Sequence, residues 1–256
     1  MALRPLRATV NCDMGEGFSL YRMGDDESLM KRIHLANIAC GFHASDFAIM
    51  NKTVALAKEN NVLVGAHPSL PDLQGFGRRE MAIEPDELEA CFIYQVGALS
   101  GFLKRHGLPL NHVKPHGAVY GQSARSLPLA RAAVNVAKIY DVAFVGLAGT
   151  AHQTAAAEAG VPFIAEWFAD LDYSPEGKLL ITKQHTPVSS DEVRQRVKTL
   201  LSMHEVTTNN NGRLPIGEGV DAVSICCHSD TPDAVRIAEE VKRLVDESNT
   251  NAGFDQ

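Results

Sequence analysis

The stretch HLANIACGFHASDFAIMNKTVALAKENNVLVGAH, residues 34–67, holds one complete strand–helix–strand unit. Its ends, 34–40 and 62–66, are short apolar runs bounded by turn residues, the mark of buried strands. Between them Phe47, Met50, Val54 and Ala57 recur at helical spacing behind the capping candidates Ser45 and Asp46. A strand, a crossover helix and a second strand in that order predict parallel pairing.

The same alternation repeats in both directions along the chain. Further strand candidates at 8–12, 112–114, 142–147, 162–167 and 222–227 bring the count to seven. A long helix starts at Pro85 with the stripe Leu88, Phe92, Val96, Leu99 and Leu103. Other crossovers fall at 127–140, 150–159 and 191–203, and the last helix starts at Thr231-Pro232 with Val235, Ala238, Val241 and Val245 facing inward. Right-handed crossovers of this kind close a barrel or build an open doubly wound sheet, and 256 residues suit one α/β domain built as a parallel β/α barrel. The expected domain covers 1–247. It carries an excursion at about 174–219, where turn signals cluster at 174–177 and 209–212 and a hairpin is expected around 178–182. Residues 248–256 read as a frayed polar tail.

Composition narrows the function. The net charge of −7 argues against a nucleic-acid or acidic-membrane partner, because phosphate binding needs a clustered positive surface. No apolar run nears bilayer-spanning length and no signal-peptide core precedes a cleavage site, which reads as a soluble cytoplasmic protein. Five cysteines with no CxxC pair read as small core residues. There is no GxxxxGK[ST] loop, no GxGxxG after a strand and no GxSxG elbow.

Polar residues gather where the strands end. Asn11, Asp13 and Glu16 follow strand one; Asn37, His43 and Asp46 follow strand two; His67 ends strand three; Lys114 and His116 follow strand four. Strand six leads to Glu166 and Asp170, and strand seven to His228 and Asp230. In parallel β/α folds that edge is where active sites form. Taken singly, each residue has a structural explanation, such as helix capping by Asp46 or Asp230. Together, so many charges and histidines buried at one edge would cost too much without a function.

Three chemistries fit this edge. Asp13, His43, His116 and His228 are candidate ligands for a divalent metal that activates water. The same groups could act without metal as general base and acid. Lys114, with Arg78 and Arg79 after the glycine-rich turn at 75–77, could clamp an anionic substrate.

VNCDMGEGF (10–18), MGDDE (23–27), ANIACGFHASD (36–46), GAHPSLPDLQGFGRRE (65–80), HVKPHGAVY (112–120) and CCHSDTP (226–232) resemble the LamB/YcsF family, whose bacterial members are the A subunit of 5-oxoprolinase. The resemblance runs from about 8 to 245 and implies a seven-stranded barrel of the glycoside hydrolase/deacetylase type. It also implies ATP-dependent opening of 5-oxoproline or a related lactam to L-glutamate, with subunits B and C as partners and ATP bound on the partners or on this chain. It assigns catalysis to Asp13, His43, His67, Lys114, His116 and His228, with Lys114 as a clamp on the anionic substrate and the others in proton transfer, and substrate binding to Asn11, Glu16, Asn37, Arg78, Arg79 and Asp230. Two positions depart from the family pattern: Leu171 stands where an arginine is usual, and Ser229 replaces a glycine. Two other readings are a metal-dependent deacetylase or amide hydrolase acting on a carbohydrate or other small substrate, and a non-catalytic subunit that binds a carboxylate. Each of these readings is compatible with a homo-oligomer.

Overall fold

The computed structural model describes residues 4–177, 179–180, 188–215 and 219–254. Six parallel strands come first: β1 (Arg7–Met14), β2 (Leu35–Ala39), β3 (Leu63–His67), β4 (His112–Val113), β5 (Ala143–Gly146) and β6 (Phe163–Phe168). The excursion that follows carries two antiparallel hairpins, β7 (Asp172–Tyr173) with β8 (Leu179–Leu180) and β9 (Glu205–Thr207) with β10 (Arg213–Pro215). The chain then returns in β11 (Ala222–Cys226), which pairs with β6 on one side and β1 on the other and closes a seven-stranded parallel barrel. Of the hairpin expected around 178–182, only the β8 residues fall within the described chain.

The helices are α1 (Asp26–Leu29), α2 (Phe47–Glu59), α3 (Pro85–His106), α4 (Gly117–Ala124), α5 (Leu127–Ile139), α6 (Ala151–Ala159), α7 (Ser190–Met203) and α8 (Ala234–Ala252). No helix among the described residues is long and apolar enough to cross a membrane.

Strand alternation decides what faces where. Val10, Ile38, Val64, Phe144, Trp167 and Ile225 are buried in the apolar core shared with the helices. Their neighbours Asn11, Asn37, Glu166 and Ser224 are equally buried, on the barrel's inside. There Asn11 Nδ2 donates to Ser224 Oγ at 2.8 Å, and Asn37 Nδ2 donates to Asn11 Oδ1 at 2.7 Å. His112 Nε2 meets Asn37 Oδ1 at 2.7 Å. This floor of hydrogen bonds partners Asn11, Asn37, His112 and Ser224 inside the barrel.

Gly65 on β3 makes room for the floor. A Cβ there would lie 2.1 Å from His112 Nε2, on a ring tied at its other nitrogen to Asn111 at 3.0 Å. Gly65→Ala is therefore expected to destabilise the fold by about 1–3 kcal/mol through overpacking. An unchanged urea midpoint would show that the ring moves freely.

Three boundaries differ from those expected. The segment after 114 forms α4, hidden in sequence by Pro115 and by Gly117, whose φ is +61°. Helix α8 starts after Asp233 rather than at Thr231, because the Thr231 hydroxyl donates to Asp170 at 3.1 Å. The same helix runs to Ala252 and so takes in half of the expected tail. Asn249 holds it down, accepting from Ala8 N at 3.1 Å and donating to Ala8 O at 2.8 Å.

Candidate active site

The C-terminal ends of the barrel strands converge on Lys114. Its ammonium lies 2.8 Å from Asp13 Oδ1 and 2.8 Å from Glu166 Oε1, with Asn11 Oδ1 at 3.3 Å and Cys226 Sγ at 3.5 Å. Lys114 is 3% exposed, Asp13 7% and Glu166 1%. So deep a charge is sustained only by such pairing. Burial alone would discharge the ammonium, yet the Asp13 carboxylate, with Cys226 and Glu166, raises its pKa well above the usual lysine range. Burial likewise opposes ionised Asp13, but His67 and Lys114 overcome it and hold the carboxyl well below the usual range.

Asp13 is positioned from three sides. Asn37 Nδ2 donates to Oδ1 at 2.8 Å, Lys114 holds the same oxygen, and His67 Nε2 lies 3.2 Å from Oδ2. His67 Nδ1 faces the Lys114 carbonyl at 2.8 Å. Because a carbonyl only accepts, that nitrogen carries the hydrogen, which fixes the tautomer and ring orientation.

Beside this group sits a histidine cluster. His43 and His116 stack with centroids 3.6 Å apart, and His43 Nε2 meets Glu16 Oε1 at 3.0 Å. His116 Nδ1 lies 2.9 Å from His67 Nε2, while its Nε2 donates to the Phe76 carbonyl at 2.9 Å. Burial pushes both His43 and His116 well below the ordinary imidazole range, reinforced by the neighbouring histidines. Burial also raises the Glu16 carboxyl.

Across the mouth, His228 Nδ1 meets Asp170 Oδ1 at 3.0 Å and its backbone N–H donates to Asp170 Oδ2 at 2.9 Å. Burial works against a charged ring, but the Asp170 carboxylate outweighs it and lifts His228 to about 9. Since this folded value exceeds the ordinary 6.5, the pair contributes stability that is fully present below pH 6.5 and lost as pH rises through about 9. The gap between wild type and His228→Gln in unfolding free energy is expected to be on the order of 2–3 kcal/mol at pH 6 and to shrink above pH 9. A pH-independent gap would refute the charged pair.

The structure sorts the residues expected at the site. Asp13, Glu16, His43, His67, Lys114 and His116 come together, and His228 stands across from them. Asn11 and Asn37 are 0% exposed and lie beneath Asp13, whose Oδ1 accepts from Asn37. Arg79 pairs with Asp72 inside its own loop, and its side chain is 64% exposed. Arg78 reaches across the mouth to Asp230 at 2.9 Å with its guanidinium over the Phe76 ring. The four expected metal ligands divide between two groups: His43 and His116 lie with Glu16 and His67, and Asp13 and His228 lie with Cys226. Asp46 is the α2 cap, accepting from Ala48 and Ile49 N–H groups. Sequence reasoning left Glu166 and Asp170 without a role, though their position at the end of a strand signalled one. Cys226, read as core packing, also contacts Lys114. Leu171 is buried with Tyr120, Phe168 and Tyr173, and Arg196 Nη1 donates to its carbonyl at 2.9 Å.

Comparison with known proteins places this arrangement. The lactam utilization protein lamB of Emericella nidulans is 46% identical over 97% of this chain and 98% of its own length. The A subunit of 5-oxoprolinase from Pyrococcus horikoshii is 42% identical over 94% of this chain and 95% of its own. The crystal structure of the lactam utilization protein from Thermus thermophilus superposes with a TM-score of 0.82 at 36% identity, covering 97% of this chain and 98% of that one. The family model matches residues 8–253, and with its fold and site accounted for, the chain belongs to the LamB/YcsF family.

Proposed function

We propose that this chain is the hydrolytic barrel subunit of a 5-oxoprolinase, opening the ring amide of 5-oxoproline or a closely related lactam to L-glutamate or its analogue. The observation that carries the reading is the buried Asp13–Lys114–Glu166 group beside tautomer-fixed His67, in a chain whose relatives are named for lactam utilization and for 5-oxoprolinase.

The chemistry needs three things. Water must add to the ring carbonyl carbon, the C–N bond must break, and the ring nitrogen must gain a proton. Lys114 supplies fixed positive charge beside the lactam oxygen, where the transferred phosphoryl group gathers negative charge, a role suited to a cation held in a dry site. Asp13 stays ionised, takes the proton from water and passes it toward the leaving nitrogen, with His67 beside it. Arg78, shared with Asp230 at the mouth, takes the substrate carboxylate. A five-membered lactam is a stabilised amide, so ring opening is driven by ATP. Partner subunits B and C phosphorylate the lactam oxygen, water addition and C–N cleavage leave an acyl phosphate, and a second water hydrolyses that to the glutamate carboxylate and free phosphate.

Glutamate release from 5-oxoproline tests this, measured with and without ATP and the two partner subunits. ATP-dependent release that needs this chain is expected. No release from an assembled complex that still consumes ATP would overturn the reading, and ATP-independent cleavage of an acetamide would replace it with deacylation.

A further inference from the structure

Four buried side chains beside Lys114 present one another with an excess of hydrogen-bond acceptors. His67 Nδ1 gives its hydrogen to the Lys114 carbonyl, and His116 Nε2 gives its own to the Phe76 carbonyl. A neutral imidazole carries one N–H. His67 Nε2 and His116 Nδ1 therefore face each other at 2.9 Å lone pair to lone pair. Glu16 Oε1, which brings no hydrogen, lies 3.4 Å from His116 Nδ1 and 3.0 Å from His43 Nε2. Glu16 is 6% exposed, His43 1%, His67 1% and His116 4%, so water does not relieve the conflict. A positive centre among them is required.

The geometry points to a metal ion as that centre: we propose that Glu16, His43, His67 and His116 bind one divalent transition metal of the zinc class. Three imidazoles and one carboxylate are a donor set that suits such an ion. Nitrogen and oxygen ligands at tetrahedral zinc stand about 3.3 Å from one another. The 2.9, 3.0 and 3.4 Å contacts here bracket that spacing, and the four ligand atoms all lie within 4.8 Å of one another. The carbonyls holding the far nitrogens of His67 and His116 are the partners that metal-bound histidines use to fix orientation. The second group, Asp13, Cys226 and His228, takes no metal, because the Lys114 ammonium lies 2.8 Å from Asp13 and 3.5 Å from Cys226 and already fills it with a cation. The rival centre is one proton on His67 Nε2, shared with His116 Nδ1 and Asp13 Oδ2 while His43 Nε2–H donates to Glu16 Oε1, and zinc titration separates the two.

The inference stands on side-chain geometry and holds whether or not the lactam reading is right. Its test is zinc titration of the metal-stripped full chain by calorimetry, with metal content measured after dialysis. One zinc per chain is expected, with a higher melting temperature in its presence. Glu16→Gln is expected to weaken binding by about 100-fold or more, since losing an orienting partner alone costs up to that much. Cys226→Ser is expected to bind as the wild type does. Folded wild type that retains no zinc would overturn the proposal in favour of the shared proton, and binding lost in Cys226→Ser but kept in Glu16→Gln would move the metal to the other group.

Discussion

Replacing Lys114 by methionine is expected to destabilise the protein by about 3–5 kcal/mol at neutral pH, although methionine fills nearly the same volume. The reason is the pair of carboxylates left behind. Asp13 and Glu166 each lie 2.8 Å from the ammonium, and neither is exposed enough for water to take its place. Removing the cation strands two negative charges inside the barrel. Two consequences separate this account from a loss of packing. Adding Glu166→Gln to the variant should recover part of the lost stability, because one of the stranded charges goes with it. Acidification should narrow the gap to wild type, because carboxyls without a partner protonate at higher pH than paired ones. Denaturant unfolding of the single and double variants between about pH 5 and 8 measures both effects. A gap that is constant with pH, with no recovery in the double variant, would mean that Lys114 acts through its hydrocarbon stem alone. Turnover should also fall, by about 100-fold or more, if the ammonium stabilises the negative charge of the transferred phosphoryl group.

How much of this was legible in sequence depended on whether a residue's partner was near it in the chain. The seven barrel strands and the long helices declare themselves through local period, since an outward Ile38 beside an inward Asn37 is a pattern within one strand. Asp46 as a cap was equally legible, for its partners Ala48 and Ile49 are its own neighbours. Helix α4 was not, because Pro115 and Gly117 are breakers by local rule and tertiary hydrogen bonds overrule them, including Ala118 N to Gly77 O at 2.8 Å. The end of α8 was lost for the same reason. Ser248-Asn249-Thr250-Asn251 is polar enough for a tail, and only the distant Ala8 backbone makes it helix. Within the site, residue type and strand-end position revealed membership but not role. Arg78 and Arg79 are adjacent and chemically identical, yet one spans the mouth to Asp230 and the other closes its own loop on Asp72. Glu16 and His67 belong with His43 and His116 because β1 and β3 flank β2 in the barrel, a register that no spacing in the sequence encodes.

Asp13→Asn is expected to lower kcat for lactam opening by about 10³–10⁴-fold with little change in stability. Asparagine has the same shape, and its amide can be accommodated at each contact. The carbonyl oxygen can accept from Lys114 and Asn37, now at 2.8 Å from Oδ1, while the NH2 points at His67 Nε2, 3.2 Å from Oδ2. The chemistry stops all the same. An amide in place of Asp13 has no carboxylate oxygen to take the proton from water. Lys114, left with Glu166 as its only anionic partner among the described residues, stays in place. The effect should therefore appear in kcat more than in KM, because the proposed site for the substrate carboxylate, Arg78, does not involve Asp13. Steady-state kinetics with ATP and both partner subunits, alongside thermal unfolding, measure it. Activity close to that of wild type in a folded variant would show that Asp13 serves the barrel's architecture and that proton transfer runs through the histidine cluster without it.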